Sequence, residues 1–118
     1  MPLLNQGTRY MIDTLKSRIN QVVFGFGGNF ASQDDVGASQ PAVIVTPTVR
    51  VLDDHTLSIE AKLALDSAFT RPLREVVVQY ANPDNATDTT ALLRYTYDAV
   101  TKTNNNEIRF SAIVEVNP

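Results

Sequence analysis

Residues 22–35 read VVFGFGGNFASQDD. That stretch decides whether the chain is built around a nucleotide cradle or around a sheet that turns a corner. A short apolar run meets Gly25, Gly27 and Gly28 within four residues, and a polar segment follows. A dinucleotide loop needs glycines at its first, third and sixth positions and then a helix. Gly25 and Gly27 fit, but the sixth position is Phe30, and ASQDDVGASQP continues with no helical period. A P-loop ends in Gly-Lys-Ser/Thr, and this stretch has no lysine. The reading that remains is structural: the glycines allow a positive φ and a sharp exit from a strand.

Before this stretch, Leu4, Thr8, Met11, Leu15, Ile19 and Val22 recur at spacings of three and four, which predicts an amphipathic helix over residues 4–19. Asp13, Lys16 and Arg18 fall off the stripe, and Asn5 is placed to cap the start. A single helix of this length is marginal in water, so its apolar stripe must lie on a sheet or on another chain.

After residue 20 the period changes to two. QVVFGF reads as a strand, and residues 27–42 form a long polar loop. In AVIVTPTVRVL, Val43, Val45, Val49 and Val51 share one face, while Pro47 predicts an edge strand or a bulge. DDHT is a hairpin turn, and LSIEAKLAL then points Leu57, Ile59, Ala61, Leu63 and Leu65 inward. After the loop DSAFTRP, LREVVVQYA carries valines on both faces and so reads as a strand covered on both sides. NPDNATD is a turn, TTALLRYTYDAV a strand, TKTNNN a turn, and EIRFSAIVEV a closing strand. Together these predict one α+β domain over residues 1–118. An N-terminal amphipathic helix packs on an antiparallel β-sandwich of about six strands, with the strand-rich part spanning residues 20–117.

Bulk composition narrows the function classes. The 118 residues are 43% hydrophobic, which sets them apart from disordered chains. A net charge of −3 argues against a nucleic-acid partner bound through a basic face. No run approaches the ~18 apolar residues of a membrane span. There is no cysteine, so Cys-ligated zinc and iron–sulfur sites are excluded, and no cofactor is expected. No secretory signal pattern opens the chain, which predicts synthesis in a cytoplasm.

Candidate chemistry is thin. His55, the only histidine, sits in the DDHT turn beside Asp53 and Asp54, where a solvated turn residue is the default. Asp34, Asp35, Asp53, Asp54 and His55 match no EF-hand spacing, so no metal is expected. Glu60, Glu75, Glu107 and Glu115 occupy outward strand positions and read as solvated surface rather than as a glycosidase pair. Tyr95 and Tyr97 share a strand face, suited either to stacking a sugar ring or to packing against the core. None of this points to an enzyme.

The order of segments carries one resemblance. An N-terminal NQG…YMIDTLKSRI helix leads to a strand ending in FGFGG and then to a long polar loop with an acidic pair. VIVTPTVRVL, LSIEAKLAL, REVVVQYAN, LLRYTYD and IRFSAIVEV follow. This resembles the small attachment domains of tail-fibre, tail-collar and baseplate-adaptor proteins of tailed bacteriophages. The resemblance implies a non-enzymatic structural or adaptor component of a virion, in the tail, baseplate or neck, made in the host cytoplasm. Its implied partners are copies of itself, as a ring or trimer, and other virion proteins. With no fibre shaft in the sequence read, the expectation turns from receptor recognition to an adaptor or capping role. Met11, Leu15 and Ile19 on the helix and Phe24, Phe26 and Phe30 around the glycines are the expected interface residues. A carbohydrate-binding β-sandwich module is the competing expectation.

Overall fold

The computed structural model describes residues 4–64 and 68–116. Helix α1 (Asn5–Arg18) precedes seven strands: β1 (Gln21–Gly25), β2 (Pro41–Val45), β3 (Thr48–Asp53), β4 (Thr56–Leu63), β5 (Leu73–Asn82), β6 (Asn85–Val100) and β7 (Ile108–Glu115). They form two antiparallel sheets, a four-stranded one in the order β2-β1-β5-β6 and a three-stranded one in the order β3-β4-β7. The class is α+β, as the periodicity predicts, with seven strands where about six are expected.

The extra strand comes from Pro47. The segment read as one strand breaks at Thr46–Pro47, and the chain crosses there from one sheet to the other. Proline has no N–H to give a ladder, so the crossing falls where pairing is weakest. Both resulting strands are edges, β2 of one sheet and β3 of the other. Val43, Val45, Val49 and Val51 still pack against the same core.

That core lies between the sheets. Val22, Phe24, Val76 and Val78 from the first sheet meet Leu57, Ile59, Ala61 and Leu63 from the second, with Ile12 and Ile19 of the helix. β4 alternates buried and open positions as expected. Leu65, the last inward position of that pattern, lies outside the described residues, as do residues 66 and 67 of the following loop.

The helix packs on β3 and β4. Its inward face is Thr8, Ile12, Leu15 and Ile19, so the expected stripe is corrected at Met11 and at Leu4, which is exposed, while Val22 belongs to β1. At about 100° per residue, Ile12 lies roughly 40° from the centre of the Thr8–Leu15–Ile19 face and Met11 roughly 60° on its other side. Ile12 is 0% exposed and Met11 44%. The expected Asn5 cap is also corrected. Leu4 occupies the cap position with no side-chain hydrogen bond, and Asn5 is the first helical residue. The helix is instead held at its flank and far end. Arg9 reaches Asp13 (3.0 Å) and Asp54 in the β3–β4 turn (3.3 Å). The Asn20 side chain extends the β5 ladder, donating to Ala81 O and accepting from Ala81 N, both at 2.8 Å.

The face assignment makes a direct prediction. Ile12→Ala should lower the unfolding free energy by about 3 kcal/mol, because it opens a cavity in the core. Met11→Ala should change it by less than about 1 kcal/mol. Urea denaturation of the two variants measures the difference.

Candidate functional site

The candidate site is built around the carboxylate of Glu75. In β5, residues alternate between the core and the opposite face of the four-stranded sheet. Val76 and Val78 point to the core, and Glu75, Val77 and Gln79 point away from it. All three outward residues are nevertheless buried, and Glu75 is 0% exposed. The strand is therefore covered on both sides, as its valines suggest, but Glu75 is not the solvated surface residue that its alternation predicts.

What covers this face is the glycine-led loop of residues 26–40. The loop returns antiparallel on itself, with Phe26 N–H donating to Gln40 O at 2.8 Å. Beneath it, Glu75 accepts three backbone N–H groups: Gly27 at 2.5 Å, Ser39 at 2.7 Å and Gln40 at 2.9 Å. Arg94 of β6, its side chain 4% exposed, adds a fourth donor, Nε to Glu75 Oε1 at 3.1 Å. The rest of the guanidinium is used on the loop as well. Nη1 donates to Asp35 Oδ2 (3.0 Å) and Asn29 O (3.1 Å), and Nη2 donates to Asn29 Oδ1 (3.1 Å). Asp35 in turn accepts from Ser32 N–H at 2.8 Å. One buried acid and one buried base thus clasp both ends and the middle of the loop.

This arrangement answers the question posed by the glycines. No described residue has a positive φ, so the expected turn geometry is corrected. The glycines are there for space. A Cβ on Gly25 would lie 2.6 Å from Gln40 O and 2.7 Å from Glu75 Oε2. One on Gly27 would overlap Glu75 Oε2 and lie 2.6 Å from Ser39 Cβ. Only a residue without a side chain lets the backbone approach the carboxylate this closely.

Burial pushes the Glu75 carboxyl upward. The N–H groups of Gln40, Ser39 and Gly27, with the Arg94 guanidinium, outweigh it and hold the group below the ordinary glutamate value. Asp35 is held low by the Ser32 N–H and by Arg94. Tyr97 donates its hydroxyl to Glu75 O at 3.3 Å. Its own ionisation is pushed up to about 12, first by burial and then by the Glu75 charge.

The expected interface residues scatter over different environments. Ile19 and Phe24 lie in the core, and Leu15 packs against it. Phe26 is partly buried, edge-on to Phe69 at 6.1 Å, with the Arg71 guanidinium 4.9 Å from its ring centre. Met11 and Phe30 are exposed. Tyr95 and Tyr97 differ in surroundings: Tyr97 packs toward the core, and Tyr95, 41% exposed, lies against Phe110 of the other sheet at 5.7 Å. The acidic residues of the two turns are engaged separately, Asp35 by Arg94, Asp54 by Arg9, and Asp53 by the His55 N–H at 2.8 Å. Among the described residues no group of three or more His, Asp or Glu side chains gathers to hold a metal. No described helix is long and apolar enough to cross a membrane.

No family model matches the chain, and no curated protein matches it.

Glu75→Gln removes the charge that Arg94 and three N–H groups face, and should cost about 3 kcal/mol of stability in urea. Gly27→Ala should cost about 2 kcal/mol through overpacking. Because the folded pKa of Glu75 is depressed, its contribution is full above the unfolded value, about 4.3. It is lost as pH falls from there through the lower folded value. A series of urea midpoints between neutral and acid pH should show that limb in the parent protein and a flatter one in Glu75→Gln.

Proposed function

We propose that this chain is a non-enzymatic structural module that works by contact with copies of itself and with other proteins of a bacteriophage virion. The observation that carries the reading is the apolar display on the clasped loop. Phe30 is 92% exposed and Val36 88%, on a segment whose backbone is held to the sheet by charge-assisted hydrogen bonds. Large apolar side chains on a rigid support lose little conformational freedom on association, and that favours a contact surface. Exposed Tyr10 and Met11 on the helix and Ile44 on β2 extend the apolar surface to other elements.

The chemistry of the buried charges supports the same reading. Glu75 and Arg94 direct their donors and acceptors to each other, the loop backbone, Asn29 and Asp35. The resemblance to phage attachment domains supplies the virion setting, and symmetric self-association is the common outcome for one surface repeated in many copies.

Light scattering after size exclusion, over a concentration series, tests this reading. A discrete oligomer is expected, and Phe30→Ser with Val36→Ser should weaken partner capture while leaving the unfolding free energy in urea within about 0.5 kcal/mol of the parent. A monomer at every concentration would contradict the self-association on which the proposal rests.

A further inference from the structure

Four strands lie at sheet edges, and they are not equally open to pairing. β2 is five residues long, begins with Pro41, and pairs with β1 through an irregular register at Phe24/Gly25. β3 has a break in register between Val51 and Asp53 and lies against the helix. β6 departs from regular pairing at three places along β5. Proline, bulges and cover are the devices that keep an edge from recruiting another strand. β7 has neither proline nor bulge: its eight residues pair with β4 without a single shift of register, and its charged outward residues, Arg109 and Glu115, are of opposite sign.

The free side of β7 can be read from one hydrogen bond. Val116 N–H donates to His55 O at 2.8 Å, in register with the Thr56–Glu115 pair. In an antiparallel ladder alternate residues direct both backbone groups to the same neighbour. Residues 108, 110, 112, 114 and 116 therefore face β4, and Arg109, Ser111, Ile113 and Glu115 offer their N–H and C=O groups to the open edge. An incoming antiparallel β7 must match these outward residues with its own, which leaves few registers.

One of those registers is self-complementary. With the two-fold axis at Ala112, Arg109 stands opposite Glu115 of the second copy, Glu115 opposite its Arg109, and Ser111 opposite its Ile113. Ile113, 65% exposed in the single chain, then lies diagonal to its own equivalent. Centring on Ser111 instead sets Glu107 against Glu115, two like charges. Centring on Ile113 sets Ser111 against Glu115 and pairs Arg109 with position 117, outside the described residues, so no opposite charges meet among the described residues. Arg109 is already extended on the surface, its side chain 76% exposed and held by Glu107 at 2.7 Å.

We infer that β7 is a homotypic interface: two copies pair their β7 strands antiparallel about a two-fold axis at Ala112, joining their three-stranded sheets into one six-stranded sheet. This rests on the self-association proposed above and names its surface. The contact is isologous and builds pairs, so a ring or trimer requires a different, heterologous contact.

Charge exchange tests it. Arg109→Glu and Glu115→Arg each set two like-charge pairs across the axis and should weaken dimerisation by roughly tenfold in sedimentation or light-scattering titrations. The double variant restores opposite charges at both pairs and should recover most of the parent affinity. Ser111→Pro removes an N–H that faces only the open edge, so it should weaken dimerisation with the β4 ladder intact, and circular dichroism with a urea midpoint confirms the fold. Parent protein that associates while all these variants associate equally would overturn the β7 interface and leave the broader assembly reading standing. Failure of the double variant to recover affinity would overturn the Ala112 register and the interface with it. Parent protein that stays monomeric at every concentration would overturn both.

Discussion

A carboxylate taken out of water must be matched by donors, or it destabilises the fold by several kcal/mol. Glu75 is that carboxylate, and much of the architecture follows from satisfying it. Its position in β5, between β1 and β6, leaves no route to solvent, so donors must come to it. The loop after β1 brings three N–H groups, and β6 brings Arg94. For the loop to come so near, Gly25 and Gly27 must lack side chains. Val23 and Val77 are likewise buried on the side of the sheet away from the main core. The four-stranded sheet is thus buried on both faces along β1 and most of β5, with Ile44 on β2 still exposed, and the three-stranded sheet is buried on one.

This division gives the molecule a rigid half and an open half. The covered sheet carries the clasped loop with Phe30 and Val36 at its surface. The other sheet turns Arg50, Ser58, Glu60, Lys62 and Ile113 toward solvent and ends in a regular strand edge. Backbone groups on an open edge give affinity without choosing a partner. Charges placed opposite one another choose the register. Contact through apolar loop tips and contact through a strand edge are physically independent, so one chain can use the first toward a different protein and the second toward its own copies.

Much of this fold is legible in the residues. The period-two stretches mark β4, β5 and β7, the DDHT and NPDN turns fall where the chain reverses, and the helix bounds agree with the spacing to within a residue. The errors have physical causes. Met11 and Ile12 flank the same helical face, and only packing on β3 and β4 selects Ile12. Pro47 signals a weakened strand but not that its two halves join different sheets. Glu75 is the most informative miss. Alternation places it outward, and outward means solvated only when a sheet has one covered face. The signal was present in EVVVQ: valines on both faces announce a strand covered on both sides, and an acid in such a strand needs buried partners. Identifying Arg94 and the residue 26–40 backbone as those partners requires the three-dimensional register.

Amide hydrogen exchange measures the central claim most directly. If Glu75 holds the loop, the Gly27, Ser39 and Gln40 amides exchange at neutral pH as slowly as those of the β1–β5 ladder, and Glu75→Gln releases them selectively. Rapid exchange at these three amides in the parent protein, with the β1–β5 ladder protected, would contradict it.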